Sequence, residues 1–215
     1  MENEVLQNII LSGIYLLQDN TLLADILEYQ EEINKDVEEL LKKEHFACGK
    51  GCYFCCIGWD VKGTISEAFL FVKGLNSLEV EKRELLNQKL ENYRSTQKSE
   101  DILCPFLENS LCISYEGRPF VCRTYSSYDK TLCEDKKRFE FPPVVEKALE
   151  IVDKKVSILE EPFKTLFETK IPFSQISFDK KRQLFYINLG DTAHIYPQEE
   201  GSLIEKGLYA KKYMP

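Results

Sequence analysis

The sequence has no apolar run long enough to cross a membrane, no internal repeat and no low-complexity tract. These lacks argue against a membrane span, a repeat array and a long disordered tract. Positive charge is also short. Lys and Arg number 28 against 36 Asp and Glu, a formal net charge of −8. That balance argues against nucleic acid or an anionic membrane as the main partner. The opening residues, Met1-Glu2-Asn3-Glu4-Val5, lack the basic start of a signal peptide. The expectation is a cytoplasmic protein, in a compartment where thiols stay reduced. The 215 residues are expected to form a single domain over 1–215, and 43% apolar residues suffice for a core without staples.

Cysteine, by contrast, is concentrated. Four of the eight stand within nine residues, Cys48-Gly49-Lys50-Gly51-Cys52-Tyr53-Phe54-Cys55-Cys56, and Cys104, Cys112, Cys122 and Cys133 follow. In a reducing compartment such clustering points to metal, although the even count leaves a disulfide framework as the alternative. Thiolate is a soft ligand that selects zinc, copper(I) or iron–sulfur clusters. One loop can present several sulfurs to one centre, and the second group would close the site. Cys55 and Cys56 are adjacent, so their side chains cannot easily reach one atom. One of them would bind while the other packs, serves a second centre or acts as a reactive thiol. Gly49 and Gly51 permit close backbone approach, which would let amide N–H groups turn toward sulfur.

The rest of the chain predicts an α+β fold, mainly α-helical, with a cysteine-rich metal-binding centre and a small C-terminal β element. A weak helical stripe covers 3–17. A clear one runs from Thr21 to about Glu44 through Leu22, Leu23, Ile26, Leu27, Ile33, Val37, Leu40 and Leu41. Thr64, with Glu67 three residues on, has the form of a capping box opening a helix to about Leu75. A second helix is expected from Ser77 to about Thr96, burying Leu78, Leu85, Leu86 and Leu90. Residues 102–115 suggest a hairpin presenting Cys104 and Cys112, and Phe120 to Tyr125 a short helix. Pro142 and Pro143 open another helix through Val145, Leu149, Val152, Val156 and Leu159, which Pro162 kinks or divides before Phe163 to Phe167. Strands are expected at 176–178, 183–189 and 193–196, then a terminal helix at 203–213.

Two family resemblances rest on the cysteines. Cys48-x3-Cys52-x2-Cys55 has the spacing of the radical S-adenosylmethionine signature, with Phe54 before the third cysteine. That family places the motif after the first strand of a partial α/β barrel, whereas here a long amphipathic helix precedes it. A wider resemblance takes in Cys48 to Cys56, then Glu67, Cys104-Pro105-Phe106-Leu107, and Cys112 through Arg118-Pro119-Phe120-Val121-Cys122-Arg123-Thr124-Tyr125. This set resembles the cysteine-cluster family called YkgJ, described as a zinc- or iron-chelating domain with a CxxCxxCC pattern. It spans about 46–126, the expected metal-binding core, and holds seven cysteines in order. The first spacing here is three residues rather than two. Flagellin lysine N-methylases carry a similar domain, which implies an iron–sulfur centre as one option. No methylase-specific region is recognised in this shorter chain. Cys133 lies outside the pattern and is expected to be dispensable for metal.

The expected metal ligands are therefore Cys48, Cys52, Cys55, Cys56, Cys104, Cys112 and Cys122. Arg118 and Arg123 either offset the charge of an anionic centre or hold the fold through carboxylates. Glu67 reads as a cap, and Trp59 as packing over the site. His45 reads as a ligand or a helix-terminal residue, and His194 as a strand or surface residue. The seven- and nine-residue gaps between Cys104, Cys112 and Cys122 are a poor match to paired zinc knuckles. They favour a four-iron–four-sulfur (4Fe–4S) cluster, with zinc the alternative. The functional expectation is an iron–sulfur protein in redox or S-adenosylmethionine-linked chemistry. The alternatives are a structural zinc-binding interaction module, a radical S-adenosylmethionine-like enzyme using Cys48, Cys52 and Cys55, and a thiol-reactive or metal-trafficking protein using the vicinal pair. The expected partner is a protein or a small molecule.

Overall fold

A computed structural model describes residues 20–58, 60–96, 101–135, 142–160, 171–188, 193–195 and 204–206. The stripe at 3–17, Trp59 and the segment from Pro162 to Phe167 lie outside the described residues. Within them the fold is α+β and mainly helical, as the periodicities predict. Helix α1 (Asn20–Leu41) buries Ile26, Leu27, Ile33, Val37 and Leu41 along one stripe and packs against the later helices.

After a short strand β1 (Lys62–Gly63), helix α2 (Ile65–Asn76) forms the centre of the molecule. Nine of its residues are buried, among them Phe69, Phe71 and Leu75. A helix apolar on nearly all sides must be surrounded, and α1 packs against one flank while the C-terminal sheet packs against another. Its start is the expected capping box. Thr64 Oγ1 accepts from Glu67 N at 3.4 Å, and Thr64 N donates to Glu67 Oε2 at 2.7 Å. At its other end Asn76 reads the backbone of a distant strand, donating to Phe185 O at 2.9 Å and accepting from Phe185 N at 2.7 Å.

Helix α3 (Val80–Ser95) buries Leu86, Leu90 and Tyr93. Leu85 is 48% exposed, against the sequence expectation. The residues at 86, 90 and 93 already define the inward face, and position 85 lies a third of a turn away from it. Arg94 fastens α3 to the sheet through Ser174 O (2.6 Å) and Ile176 O. The hairpin strands β2 (Leu107–Glu108) and β3 (Leu111–Cys112) lead into short helices α4 (Phe120–Thr124) and α5 (Lys130–Glu134). Helix α5 has no counterpart in the sequence expectations; Asp129 caps it by accepting from Thr131 N.

Helix α6 (Pro143–Glu160) lies on α1 with Val145, Ala148, Val152 and Val156 buried. Strand β4 (Ile171–Pro172) then pairs with β1, and β5 (Ile176–Asp179), β6 (Leu184–Asn188), β7 (Ala193–Ile195) and β8 (Ile204–Lys206) form an antiparallel meander. Gln183 sits in the β5–β6 turn at φ 59° rather than in the strand. The helix expected at 203–213 is corrected at residues 204–206, which pair with β7 instead, Ile204 opposite Ile195. An exposed strand edge supplies backbone partners that a short terminal helix would have to find within itself. The buried core is continuous from Ile26 to Ile187.

Candidate metal centre

The chain leaves α1 and enters a loop whose form follows from its glycines. Cys52 N donates to Gly49 O at 3.0 Å, closing a turn with Gly51 at φ +85°. Residues Phe54–Cys56 make one 3-10 turn, with Cys56 N donating to Tyr53 O. The second cysteine group is joined to this loop by backbone. Cys104 N donates to Cys56 O at 2.7 Å, Gly58 N donates to Ile102 O at 2.8 Å, and Ile57 bridges Leu103. The hairpin places Cys112 opposite Leu107, and Asn109 and Ser110 both adopt positive φ at its tip. Positive φ at both central positions matches the twist of a two-residue hairpin.

Two contacts bring Cys122 into place. Gly117 lies so close to α2 that an added Cβ would stand 2.8 Å from Leu70 O and 3.0 Å from Phe71 Cα. Phe120 N, at the start of α4, donates to Glu67 Oε1 at 2.6 Å. Glu67 therefore caps α2 and tethers α4 as well, which the spacing Thr64–Glu67 alone does not reveal.

One cavity of about 650 Å³ results, and Cys48, Cys52, Cys55, Cys56, Cys104, Cys112 and Cys122 all line it. The sequence-predicted thiols of both groups thus come together. All eight cysteines are free thiols, so no disulfide joins the groups. Phe71, Phe106 and Phe173 close the floor, with Tyr93 and Asp60 beside them. Among the described residues, no three or more Cys, His, Asp or Glu side chains are gathered tightly enough to hold one bare ion.

Burial dominates the electrostatics of these sulfurs. It raises the thiol of Cys104 to about 12, raises Cys112, and raises Cys122 well above the usual thiol value. Cys55 is raised first by its hydrogen bond with Cys56 and then by burial. Neighbouring thiolates repel one another in such a site, so several cannot ionise together without added positive charge. Backbone amides offset part of this. Cys104 accepts from Phe106, Cys112 from Ser114 and Cys48 from Ser127. For these three sulfurs the donors are not the glycines around Lys50. A buried set of soft donors whose charge is compensated only in part fits a thiophilic metal group, whose cations would stabilise thiolate.

The two arginines differ. Arg123 is buried and pairs with Glu38 of α1 at 2.5 Å, while also donating to Arg118 O at 2.8 Å and to Glu116 O. Arg118 donates through Nε to Tyr115 O at 3.1 Å, its guanidinium 3.6 Å from the Tyr115 ring centre. Both arginines line the cavity; the charge of Arg118 favours the thiolate forms of Cys55, Cys112 and Cys122, and that of Arg123 favours the thiolate of Cys112. His45 is exposed beyond α1 and does not line the cavity. His194 lies in β7, opposite Glu205. Asp60, Tyr93 and Phe173 complete the walls from segments with no cysteine and no metal-ligand spacing. Asp60 is held there by Ser174, whose hydroxyl donates to it at 2.6 Å.

Residues 47–144 match the family model CxxCxxCC, described as "Putative zinc- or iron-chelating domain". This stretch is similar to that cysteine-cluster domain, and the seven thiols that line the cavity fall within it. The match runs beyond 126 and takes in Cys133. No curated protein and no solved structure matches the chain.

Proposed function

We propose that the protein carries a 4Fe–4S cluster in the seven-thiol cavity and serves a redox role. One observation carries this reading: thiols from both cysteine groups surround a single cavity without gathering about a point where one ion would sit. A cluster presents several metal atoms, so its ligands can stand farther apart than those of one tetrahedral ion. Four thiolates suffice for a cluster, and they would come from Cys48, Cys52, Cys55, Cys56, Cys104, Cys112 and Cys122. When bound, such a group supplies one-electron transfer. Phe71, Phe106 and Phe173 would keep water from the inner sulfurs. Arg118 would offset the negative charge of the thiolates, while the amides of Phe106 and Ser114 would hold two sulfurs in orientation.

Other parts of the expectation have less support. The described strand pairings are all antiparallel and Cys48 follows a helix, unlike the strand-borne motif of a radical S-adenosylmethionine barrel. The test is anaerobic purification from iron-replete cells, followed by metal and sulfide analysis and an absorption spectrum. The expected protein is brown, holds iron and sulfide near four each per chain as a rough guide, and bleaches on reduction. Colourless protein with stoichiometric zinc would overturn the cluster and leave a zinc-binding interaction module.

A further inference from the structure

The cavity concentrates positive charge that the chain as a whole lacks. The protein has a formal net charge of −8, yet among the described residues Lys50, Arg118 and Arg123 line the cavity against a single carboxylate, Asp60. Asp60 is engaged by Ser174, whose hydroxyl donates to it at 2.6 Å and whose backbone N–H donates at 3.3 Å. Arg123 is engaged by Glu38 and by the carbonyls of Arg118 and Glu116. Arg118 differs from both. Its Nε donates to Tyr115 O at 3.1 Å, and its guanidinium lies 3.6 Å from the centre of the Tyr115 ring, so two contacts hold it in one orientation. Among the described residues, no carboxylate pairs with Arg118 and none accepts from its two terminal nitrogens. Tyr115 lines the cavity while 48% exposed, which puts this pair near the mouth. Lys50 is exposed and lines the cavity too; its neighbour Gly51 faces the hairpin tip, where an added Cβ would stand 3.9 Å from Ser110 Cβ.

Screening of thiolates accounts for the charge of Arg118 but not for its terminal edge. That charge acts on Cys55, Cys112 and Cys122 without a hydrogen bond to any of the three sulfurs. The outer edge of a guanidinium offers two parallel N–H groups, a fork that matches the two oxygens of a carboxylate. Volume points the same way. At about 650 Å³ the cavity falls among small-molecule pockets, which span ~300–1,000 Å³. The eight atoms of a 4Fe–4S core, each given a water's share of about 30 Å³, take roughly 240 Å³, so more than half of the space stays open. The buried rings of Phe71, Phe106 and Phe173 line the same cavity and favour an apolar body over a hydrated ion.

We propose that the cavity takes, beside the metal group of the proposed function on which this reading rests, a small organic carboxylate. Its two oxygens accept from the outer edge of Arg118, Lys50 adds charge at the mouth, and its apolar body packs against the aromatic floor. No covalent bond forms or breaks in this step. An organic acid is therefore the class of small-molecule partner at the site.

Benzoate is a suitable probe. The anaerobically purified full chain is titrated with benzoate, benzamide, acetate and inorganic phosphate by calorimetry, and metal is measured on the same sample. Benzoate should saturate the protein. Benzamide keeps the shape and loses the charge, acetate keeps the charge and loses the ring, and each should bind roughly tenfold or more weakly. Arg118→Lys keeps the charge and loses the fork; it should weaken benzoate roughly tenfold and leave benzamide unchanged. Equal affinity for benzoate and benzamide, or an Arg118→Lys chain that binds benzoate like wild type, would overturn the site. So would benzoate that fails to saturate the wild-type chain. Acetate or phosphate binding as tightly as benzoate would overturn the organic acid and leave a plain anion site. Should Arg118→Lys fail to fold, the wild-type chain gives a second readout: benzoate, and not benzamide, should slow phenylglyoxal modification of Arg118, read by peptide mass mapping. An unchanged rate with benzoate would again overturn the site. Metal-loaded protein without these preferences sinks the carboxylate alone, whereas metal-free protein that keeps them sinks the pairing with a metal group and the proposed function with it.

Discussion

Glu67 holds two helix starts with one buried carboxylate, so replacing it with glutamine separates a local cap from a tertiary tether. In the native chain Oε2 accepts from Thr64 N at 2.7 Å and Oε1 accepts from Phe120 N at 2.6 Å. The residue is 6% exposed, so water cannot easily replace either bond. Glutamine keeps the length but offers one oxygen and one NH2, leaving one backbone N–H facing a donor. A hydrogen bond to a charged group contributes about 1.5–3 kcal/mol and an orphaned buried donor costs about 1–3 kcal/mol, so Glu67→Gln should lose roughly 2–4 kcal/mol. Thr64→Ala removes only the cap, whose 3.4 Å bond is long. Its cost should lie near the low end for capping, about 0.5–1 kcal/mol. Equilibrium urea unfolding measures both through a shifted midpoint at constant slope. Because Phe120 opens the helix that bears Cys122, Glu67→Gln should also weaken metal binding, while Thr64→Ala should not. Equal destabilisation by the two variants would refute the tether and return Glu67 to a capping role alone.

Arg123→Met should lose roughly 2–4 kcal/mol of stability, since it strips a buried guanidinium from Glu38 and two carbonyls, whereas Arg118→Met should stay within about 1 kcal/mol of wild type and change the potential or metal affinity of the centre; thermal unfolding and a redox or competition titration would tell the two apart. Gly117→Ala should destabilise by roughly 1–3 kcal/mol because its methyl meets the backbone of α2, and a wild-type urea midpoint would show that the turn can withdraw. Cys104→Ser should remove most bound metal in elemental analysis while the far-ultraviolet circular dichroism of the free protein holds, because Cys104 is fixed by backbone bonds that serine retains.

What the sequence reveals about the site depends on whether the signal is local. The clustered thiols, the capping box at Thr64 and the amphipathic stripe of α1 each lie within a few turns of chain, and each is legible in residue order. The return of the Cys133 segment to the first cysteine loop, where Ala47 N donates to Ser127 O, joins residues 80 positions apart, and only a polar stretch separates Cys133 from Cys122. Nothing in that stretch signals α5, whose single turn has no periodicity to read. Asp60, Tyr93 and Phe173 join the cavity through packing around α2, and an aromatic residue in a core and one in a cavity wall look alike in sequence. The error at Leu85 has the same origin in reverse: two adjacent leucines fit an apolar stripe equally well, and the neighbours of Leu86 decide between them. At residues 204–206 a weak local preference gave way to a strand edge that only the completed meander offers.

The same contrast bears on how the centre is assembled. If sulfur–metal bonds alone drew the two cysteine groups together, their backbones would have no other reason to touch. Instead Cys104 N donates to Cys56 O, Gly58 N donates to Ile102 O, and Ile57 bridges Leu103. These bonds run directly between the two groups, beside the sulfurs rather than through them. The hairpin and α4 are held by further contacts to α2, through Gly117, Glu67 and the hydroxyl of Ser114, which donates to Phe71 O. Core packing and peptide bonding therefore set the positions from which most of the thiols face the cavity. The exception is the rim, where Cys48 is exposed and its loop is fixed mainly by short turns and by the 127–133 segment. Metal-binding energy has least to reorganise at Cys104, Cys112 and Cys122 and most at Cys48 and Cys52. Coupling between binding and folding should concentrate there, in the one part of the site whose geometry the hydrophobic core does not impose.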